Sequence, residues 1–291
     1  MSGDWVLGIV GGSGLYGWPG LEDPQWIAVN STFGTPSDEI LCGRIGKVQI
    51  RFLPRHGRGH RLPPHGIDAR ANIDALKRAG ATDIVALCAV GSLVEDLQPG
   101  RFAIIDQFID TTARRHESFF GEGLVAHVGF AAPTCPRLST LAADGVRRAG
   151  GVVSEGATYV AIPGPAFSTV AESRLHERWG GHVVGMTALP EARLAREAEL
   201  PYACLAMVSD YGAWRDDGHA GGVAAAAAQV RANAALAAKA VGELAAALPE
   251  TRDPSPIDRA LDGAIVTAPG SRDAAAIIRL DAVAGRVLGS R

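Results

Sequence analysis

Short apolar runs alternate along this chain with glycine-bearing turns and with stretches of helical spacing. Trp5 to Val10 is apolar and stops at Gly11-Gly12-Ser13-Gly14, which reads as a strand feeding a tight loop whose peptide N–H groups can surround an anion. Another strand is expected over Lys47 to Leu53, running into Pro54-Arg55-His56-Gly57, then His60 and the Pro63-Pro64-His65 turn. From Ala69 to Ala79, Ile73 and Leu76 give an apolar side and Gly80 a helix stop. Asp83 to Val90 has the composition of a buried strand and ends at Gly91-Ser92. Further strands are expected at Arg101 to Asp110, Thr158 to Ile162, Val183 to Met186 and Tyr202 to Val208, the last leading to Ser209-Asp210. Helices are expected at Ser168 to Trp179, Glu191 to Glu199 and Ala220 to Leu248, where Val230, Leu236, Val241 and Leu244 form an imperfect apolar side. Thr111 to Gly123, polar and aromatic, reads as a long loop at a pocket edge, and Pro163-Gly164-Pro165 forces a sharp exit from a strand.

The alternation favours one α/β unit over residues 1–250. Pro249, Pro254 and Pro256 then interrupt the pattern, so residues 251–291 are expected as a short appendage or a loose surface extension. With 291 residues and 47% hydrophobic content, the chain can fill a substantial core. Its 28 Lys and Arg nearly balance 31 Asp and Glu, for a net charge of −3, which argues against a broad nucleic-acid surface. The opening has no basic segment followed by an apolar stretch, and no run approaches the roughly 20 apolar residues of a membrane span, so a soluble, cytoplasmic protein is expected. Cys42, Cys88, Cys135 and Cys204 form no CxxC pair and read as isolated core or pocket thiols, with a bridge left open.

Two segments carry candidate chemistry. The glycine-rich opening fits neither GxGxxG nor the GxxxxGK[ST] loop, and a plain turn is one reading of it; the other is an oxyanion held by Ser13 and nearby amides. Arg55 offers a fixed cation and His56 a neutral or charged hydrogen bond, the combination that phosphate recognition uses. The patch from Arg55 to Arg61 lacks the extended aromatic and basic platform of a nucleic-acid binder, and no Cys or Asp/Glu set accompanies its histidines to hold a metal.

A series of ordered motifs then follows from residue 5 to about 248: Gly11-Gly12-Ser13-Gly14-Leu15, Arg55-His56-Gly57-Arg58-Gly59-His60, Arg70-Ala71-Asn72-Ile73 and Gly91-Ser92-Leu93. It continues with Ile104 to Asp110, Pro163-Gly164-Pro165-Ala166-Phe167-Ser168, Met186-Thr187-Ala188-Leu189-Pro190-Glu191 and Ser209-Asp210-Tyr211. With these the chain resembles the methylthioadenosine phosphorylase and trimeric purine nucleoside phosphorylase family. The resemblance implies a single α/β domain with a mixed sheet or distorted β-barrel core flanked by helices. It also implies a homotrimer with sites near subunit boundaries, and attack of orthophosphate, a co-substrate rather than a cofactor, on the anomeric carbon of a purine nucleoside. On that model Ser13, Arg55, His56 and Thr187 hold phosphate; Cys88 stands where the family often has threonine, and Ala89 adds backbone contacts. Phe167, Ser168, Met186, Asp210 and Gly212 surround base and ribose, and His127 reaches the 5′ substituent of a neighbouring subunit.

Asp210 by itself reads equally as a turn cap; within the motif it is placed at the purine N7/N6 edge, where an acid aids departure of the base. Asp210 and Ser168 point to the aminopurine branch, since 6-oxopurine members more often carry asparagine and glutamate at these places. Gly212 points the other way, because the methylthioadenosine branch commonly has a second acid there. The expected reaction is phosphorolysis of S-methyl-5′-thioadenosine to adenine and 5-methylthioribose 1-phosphate. Phosphorolysis of inosine, guanosine, methylthioinosine or another 5′-modified adenosine, and a regulatory protein that binds nucleosides without chemistry, are the competing readings.

Overall fold

The computed structural model describes residues 4–12, 15, 18, 20–113, 115–215 and 222–289. Its strands are β1 (Val6–Gly11), β2 (Glu22–Ile27), β3 (Ile40–Ile45), β4 (Val48–Pro54), β5 (Asp83–Ser92), β6 (Phe102–Asp110), β7 (Val153–Ala161), β8 (Val183–Gly185) and β9 (Tyr202–Tyr211). The helices are α1 (Ala69–Arg78), α2 (Pro136–Arg148), α3 (Val170–Arg178), α4 (Ala188–Glu197), α5 (Gly222–Ala247), α6 (Ala274–Arg279) and α7 (Asp281–Leu288). The sheet runs β2-β3-β4-β1-β5-β8-β7-β6-β9 and closes on itself, because β9 also pairs with β5. Five strands thus form a barrel-like ring, with β2, β3, β4 and β1 as an open wing. The mixed sheet and the distorted barrel expected as alternatives are both present in one structure.

The alternation of apolar residues along each strand supplies two faces. One packs Ile84, Ala86, Cys88 and Val90 of β5 with Ile73 and Leu76 of α1 and with Ala192 and Ala195 of α4. The other packs Val85 and Leu87 with Leu138, Ala142 and Val146 of α2 and Ala237, Val241 and Leu244 of α5. Most of β5 is buried, the signature of a strand covered on both sides. None of the described helices is long and apolar enough to cross a membrane.

The appendage expected beyond residue 250 is instead built into the main core. Leu261, Ala264, Leu280, Val283 and Ala284 join the same apolar cluster as β5 and α1. Arg252 pairs with the fully buried Asp83 at the start of β5 and, at 2.6 Å, with Asp258. Arg286 donates through Nε to Oε2 of buried Glu199 at 2.7 Å. The prolines follow the end of α5 without ending the domain. Two further differences lie earlier in the chain: β2 and β3 form an antiparallel pair that no apolar alternation announces, and α2 occupies a stretch where no helix was expected.

Candidate active site

Parallel pairing of β4, β1, β5 and β9 brings their carboxyl ends to one edge, the usual ligand edge of a parallel α/β sheet. Gly11 is in register with Pro54 on one side and with Leu87 on the other. Gly12, Arg55 and Cys88 therefore follow side by side as the strands end. Arg55 N–H continues the ladder by donating to Gly11 O at 2.8 Å. Ser13, assigned to phosphate from the sequence, lies outside the described residues.

Arg55, the fixed cation expected from the sequence, is 1% exposed and paired inside the core. Its Nε and Nη2 donate to Glu191 Oε2 and Oε1 at 2.8 and 3.0 Å, a bidentate buried pair. Nη1 donates to Leu87 O at 3.1 Å and Nη2 lies 3.3 Å from Val10 O. The Tyr202 hydroxyl donates to Glu191 Oε1 at 3.0 Å. Burial opposes the charge on Arg55, and the Glu191 carboxylate more than restores it, holding the guanidinium well above its ordinary value. Sequence reasoning quoted Glu191 inside a motif but gave it no role; a glutamate in the first turn of a helix is ordinarily a solvated dipole partner, and only the fold turns this one inward.

Cys88 lies 3.7 Å from Arg55 Nη2, and the Thr187 hydroxyl sits 3.9 Å from its Sγ. Cys204 Sγ–H is also 3.9 Å from it, which lowers the Cys88 thiol and raises that of Cys204, the donor of the pair. The next residue of β5, Ala89, is exposed between buried neighbours and marks where the strand opens to the cleft. Thr187 precedes α4, and its N–H donates to the Tyr159 hydroxyl at 3.2 Å. That contact depends on Gly185, where a Cβ would stand 2.2 Å from the same oxygen. Arg115, in the loop after β6, donates to the carbonyls of Met186 and Leu189 at 2.7 Å each and to Pro163 O at 2.9 Å. It clasps the two loops that carry Met186 and Thr187 on one side and Phe167 and Ser168 on the other, and no motif singled it out.

At the end of β9, Asp210 is in register with Gly91. The Ser209 hydroxyl donates to Asp210 Oδ2 at 2.6 Å. Gly212 N–H and Trp214 Nε1–H both donate to Ser92 O, at 2.7 and 2.9 Å, latching this segment onto β5. A Cβ at Gly212 would meet that carbonyl at 3.2 Å, so the small residue suits the close approach. Met186 underlies Gly164, Ser168 Oγ is buried without a described partner, and Phe167 is 71% exposed. His127 is exposed and tied through its N–H to Ala264 O; among the described residues no hydrogen bond links it to the other candidates. Arg55, His56, Cys88, Ala89 and Thr187 thus collect around one strand end, with Asp210 and Gly212 at the neighbouring one. Among the described residues no His, Cys, Asp and Glu cluster could hold a metal.

Comparison with known proteins identifies the family of the whole chain. The model of the phosphorylase superfamily matches residues 6–248. An S-methyl-5′-thioadenosine phosphorylase of Cereibacter sphaeroides is 52% identical over 97% of this chain and 98% of its own. One of Bradyrhizobium diazoefficiens is 49% identical over the same shares of the two chains. Among solved structures, a methylthioadenosine phosphorylase from an Antarctic soil metagenomic library superposes with a TM-score of 0.89 at 39% identity, covering 96% of this chain and 99% of that one. The Schistosoma mansoni methylthioadenosine phosphorylase in complex with tubercidin gives 0.76 at 34% identity, covering 84% and 91%. The chain belongs to the phosphorylase superfamily.

Proposed function

We propose that this chain catalyses phosphorolysis of S-methyl-5′-thioadenosine, giving adenine and 5-methylthioribose 1-phosphate. The observation that carries the reading is the meeting of Gly12, Arg55, His56, Cys88 and Thr187 beside Asp210 at one sheet edge, in a chain so similar to phosphorylases that bear this substrate in their names. Orthophosphate is held by the loop after β1, an Nη1 proton of Arg55 and the Thr187 hydroxyl, and one of its oxygens attacks C1′ as the bond to N9 breaks. The sugar develops oxocarbenium character between phosphate and departing purine, so orientation and charge placement, not a protein nucleophile, lower the barrier. Asp210 faces the N7/N6 edge of the purine, accepts from the exocyclic amine and lies on the path of the proton that the leaving base takes up at N7. Gly212, lacking the second acid, leaves that task to Asp210 with Ser209 behind it.

On this reading the active form is a homotrimer in which His127 reaches the neighbouring subunit's 5′ pocket. Leu175 and Trp179, four residues apart on α3 and its cap, are 43% and 49% exposed and supply apolar surface for a second copy to cover. The test is phosphate-dependent base release from methylthioadenosine, methylthioinosine, adenosine, inosine and guanosine, together with the mass of the particle in solution. Preference for inosine or guanosine rejects the base assignment, and ligand protection without base release rejects catalysis.

A further inference from the structure

The opposite edge of the sheet, at the amino ends of β5 and β9, holds a cavity of about 220 Å³. It lies between the end of α1, the turn before β9 and α7, about 16 Å from Cys88 by the rise along β5. Its polar half is formed by Lys77, Glu199, Arg252, Asp258 and Arg286. Each carboxylate there already has an arginine: Glu199 accepts from Arg286 Nε at 2.7 Å, and Asp258 accepts from Arg252 Nη1 at 2.9 Å. Asp83 and Asp262, behind the lining, bring Arg137 and Arg259 with them. One positive charge is left over, on Lys77. Among the described residues no carboxylate pairs with its Nζ and no acceptor receives a hydrogen bond from it. The side chain is half-buried, and burial pushes its ammonium below the usual lysine value; Glu199 and Asp258 act against that push, Arg252 and Arg286 with it. Arg286 commits Nε and Nη2 to Glu199 and Asp262 and leaves Nη1 without a hydrogen bond among the described residues.

The other half of the lining is apolar. Ala81 and Leu200 form its floor, and Ala282 and Val283 of α7 form the facing wall. An inorganic anion gains only from the charged half, whereas a carboxylate with a short hydrocarbon body gains from both, by charge-assisted hydrogen bonds at one end and by leaving water at the other. We propose that this cavity binds a short aliphatic monocarboxylate, whose carboxylate accepts from Lys77 Nζ and Arg286 Nη1 while its hydrocarbon tail lies on Ala81, Leu200, Ala282 and Val283. The single negative charge matches the single unpaired cation, and a dianion would meet Glu199 and Asp258 with a charge to spare. The site is separate from the phosphorolytic one and stands whichever nucleoside that one accepts. Because its walls come from α1, the approach to β9 and α7, an occupant ties the last helix to the first half of the sheet and stabilises the native chain by mass action.

The experiment titrates the intact protein with acetate, butyrate and hexanoate by calorimetry, at fixed ionic strength and with excess phosphate present to occupy the other edge of the sheet. Affinity is expected to rise about three- to fourfold for each CH₂ that enters the apolar half, and sulfate to bind more weakly than hexanoate. Lys77→Met, which keeps the length of the stem, should weaken hexanoate about tenfold or more, the loss of a hydrogen bond from a charged group, while Lys77→Arg stays within about threefold of the parent. Labelling of the unaltered protein with acetic anhydride, followed by peptide mass spectrometry, gives a check independent of how the variants fold. With hexanoate at about four times its Kd, acetylation of Lys77 should slow about fivefold, while Lys47 and Lys239, the other lysines of the chain, react as before. Equal affinity for acetate and hexanoate, sulfate bound as tightly as hexanoate, unchanged hexanoate affinity in Lys77→Met, or labelling of Lys77 that hexanoate does not slow overturns the proposal.

Discussion

Replacing Glu191 tests whether the cation of the site depends on a buried partner. The carboxylate, 2% exposed, accepts two N–H groups from Arg55 at 2.8 and 3.0 Å and the Tyr202 hydroxyl at 3.0 Å. In Glu191→Gln one oxygen remains to accept, while the new NH₂ group meets a guanidinium N–H or the tyrosine hydroxyl, donor against donor. The Arg55 charge is then buried without compensation. Breaking such a pair from one side costs about 3–5 kcal/mol, a large part of the roughly 5–15 kcal/mol that holds a domain folded. Urea unfolding followed by fluorescence should show the midpoint fall by the corresponding amount with an unchanged slope. The phosphate KM should rise as the guanidinium leaves its place. The double substitution Arg55→Met with Glu191→Leu removes both charges and should recover most of the stability while phosphate turnover stays lost. A Glu191→Gln protein within about 1 kcal/mol of the parent, or a double variant no more stable than the single one, would refute the coupling.

Three other outcomes follow from the same geometry. Arg115→Ala strands the carbonyls of Met186, Leu189 and Pro163 and should cost about 1–3 kcal/mol while raising the phosphate KM more than it lowers kcat; Arg115→Lys, keeping the charge but not the fork, should recover only part, as steady-state kinetics will show. Burial raises Glu197 to about 7, so the folded protein holds this proton where the unfolded chain has released it; stability present below the ordinary glutamate range should fall by about 3 kcal/mol as pH rises toward 7 and above, and Glu197→Gln should flatten that dependence in urea titrations at pH 5 and pH 8. Asp210→Asn should lower kcat for methylthioadenosine by about 10²-fold or more while leaving phosphate binding measured by calorimetry close to that of the parent, and an unchanged kcat would remove Asp210 from the proton path.

Most of the sheet was legible in the sequence because β1, β4, β5 and β9 are apolar runs bounded by glycine, proline or charged turns. The helix α2 was not, although Leu138, Ala142 and Val146 recur at four-residue spacing behind Pro136; alanines and arginines between them dilute the stripe, and its burial comes from α5, about a hundred residues away. Strand β2 was invisible for another reason: Glu22 to Gln25 are exposed, and the strand exists through its ladder to β3 rather than through any core of its own. In the site, the individual motifs pointed to Arg55, His56, Thr187 and Asp210. The partnerships that define their chemistry lay outside the motifs' reach. Arg55 and Glu191 are 136 positions apart, and the tautomer of His56 is set by a carbonyl whose side chain could be anything. Arg115 left no trace, because an arginine in a polar loop looks solvated until the carbonyls around it are known.

The salt links that join the last helices to the first half of the sheet bear on how the chain is made. Asp83 has no exposed surface; Arg137 is one of its partners and the other, Arg252, is 169 residues downstream, while Glu199 waits for Arg286. As the polypeptide leaves the ribosome, β1, β4 and β5 emerge long before Arg252, Arg286 and the apolar residues of α6 and α7 that complete their cover. The barrel therefore reaches its final state only after the segment beyond residue 250 has been made, and a nascent chain stalled before it would present Glu199 without its arginine and a bare apolar face to whatever chaperone is nearest.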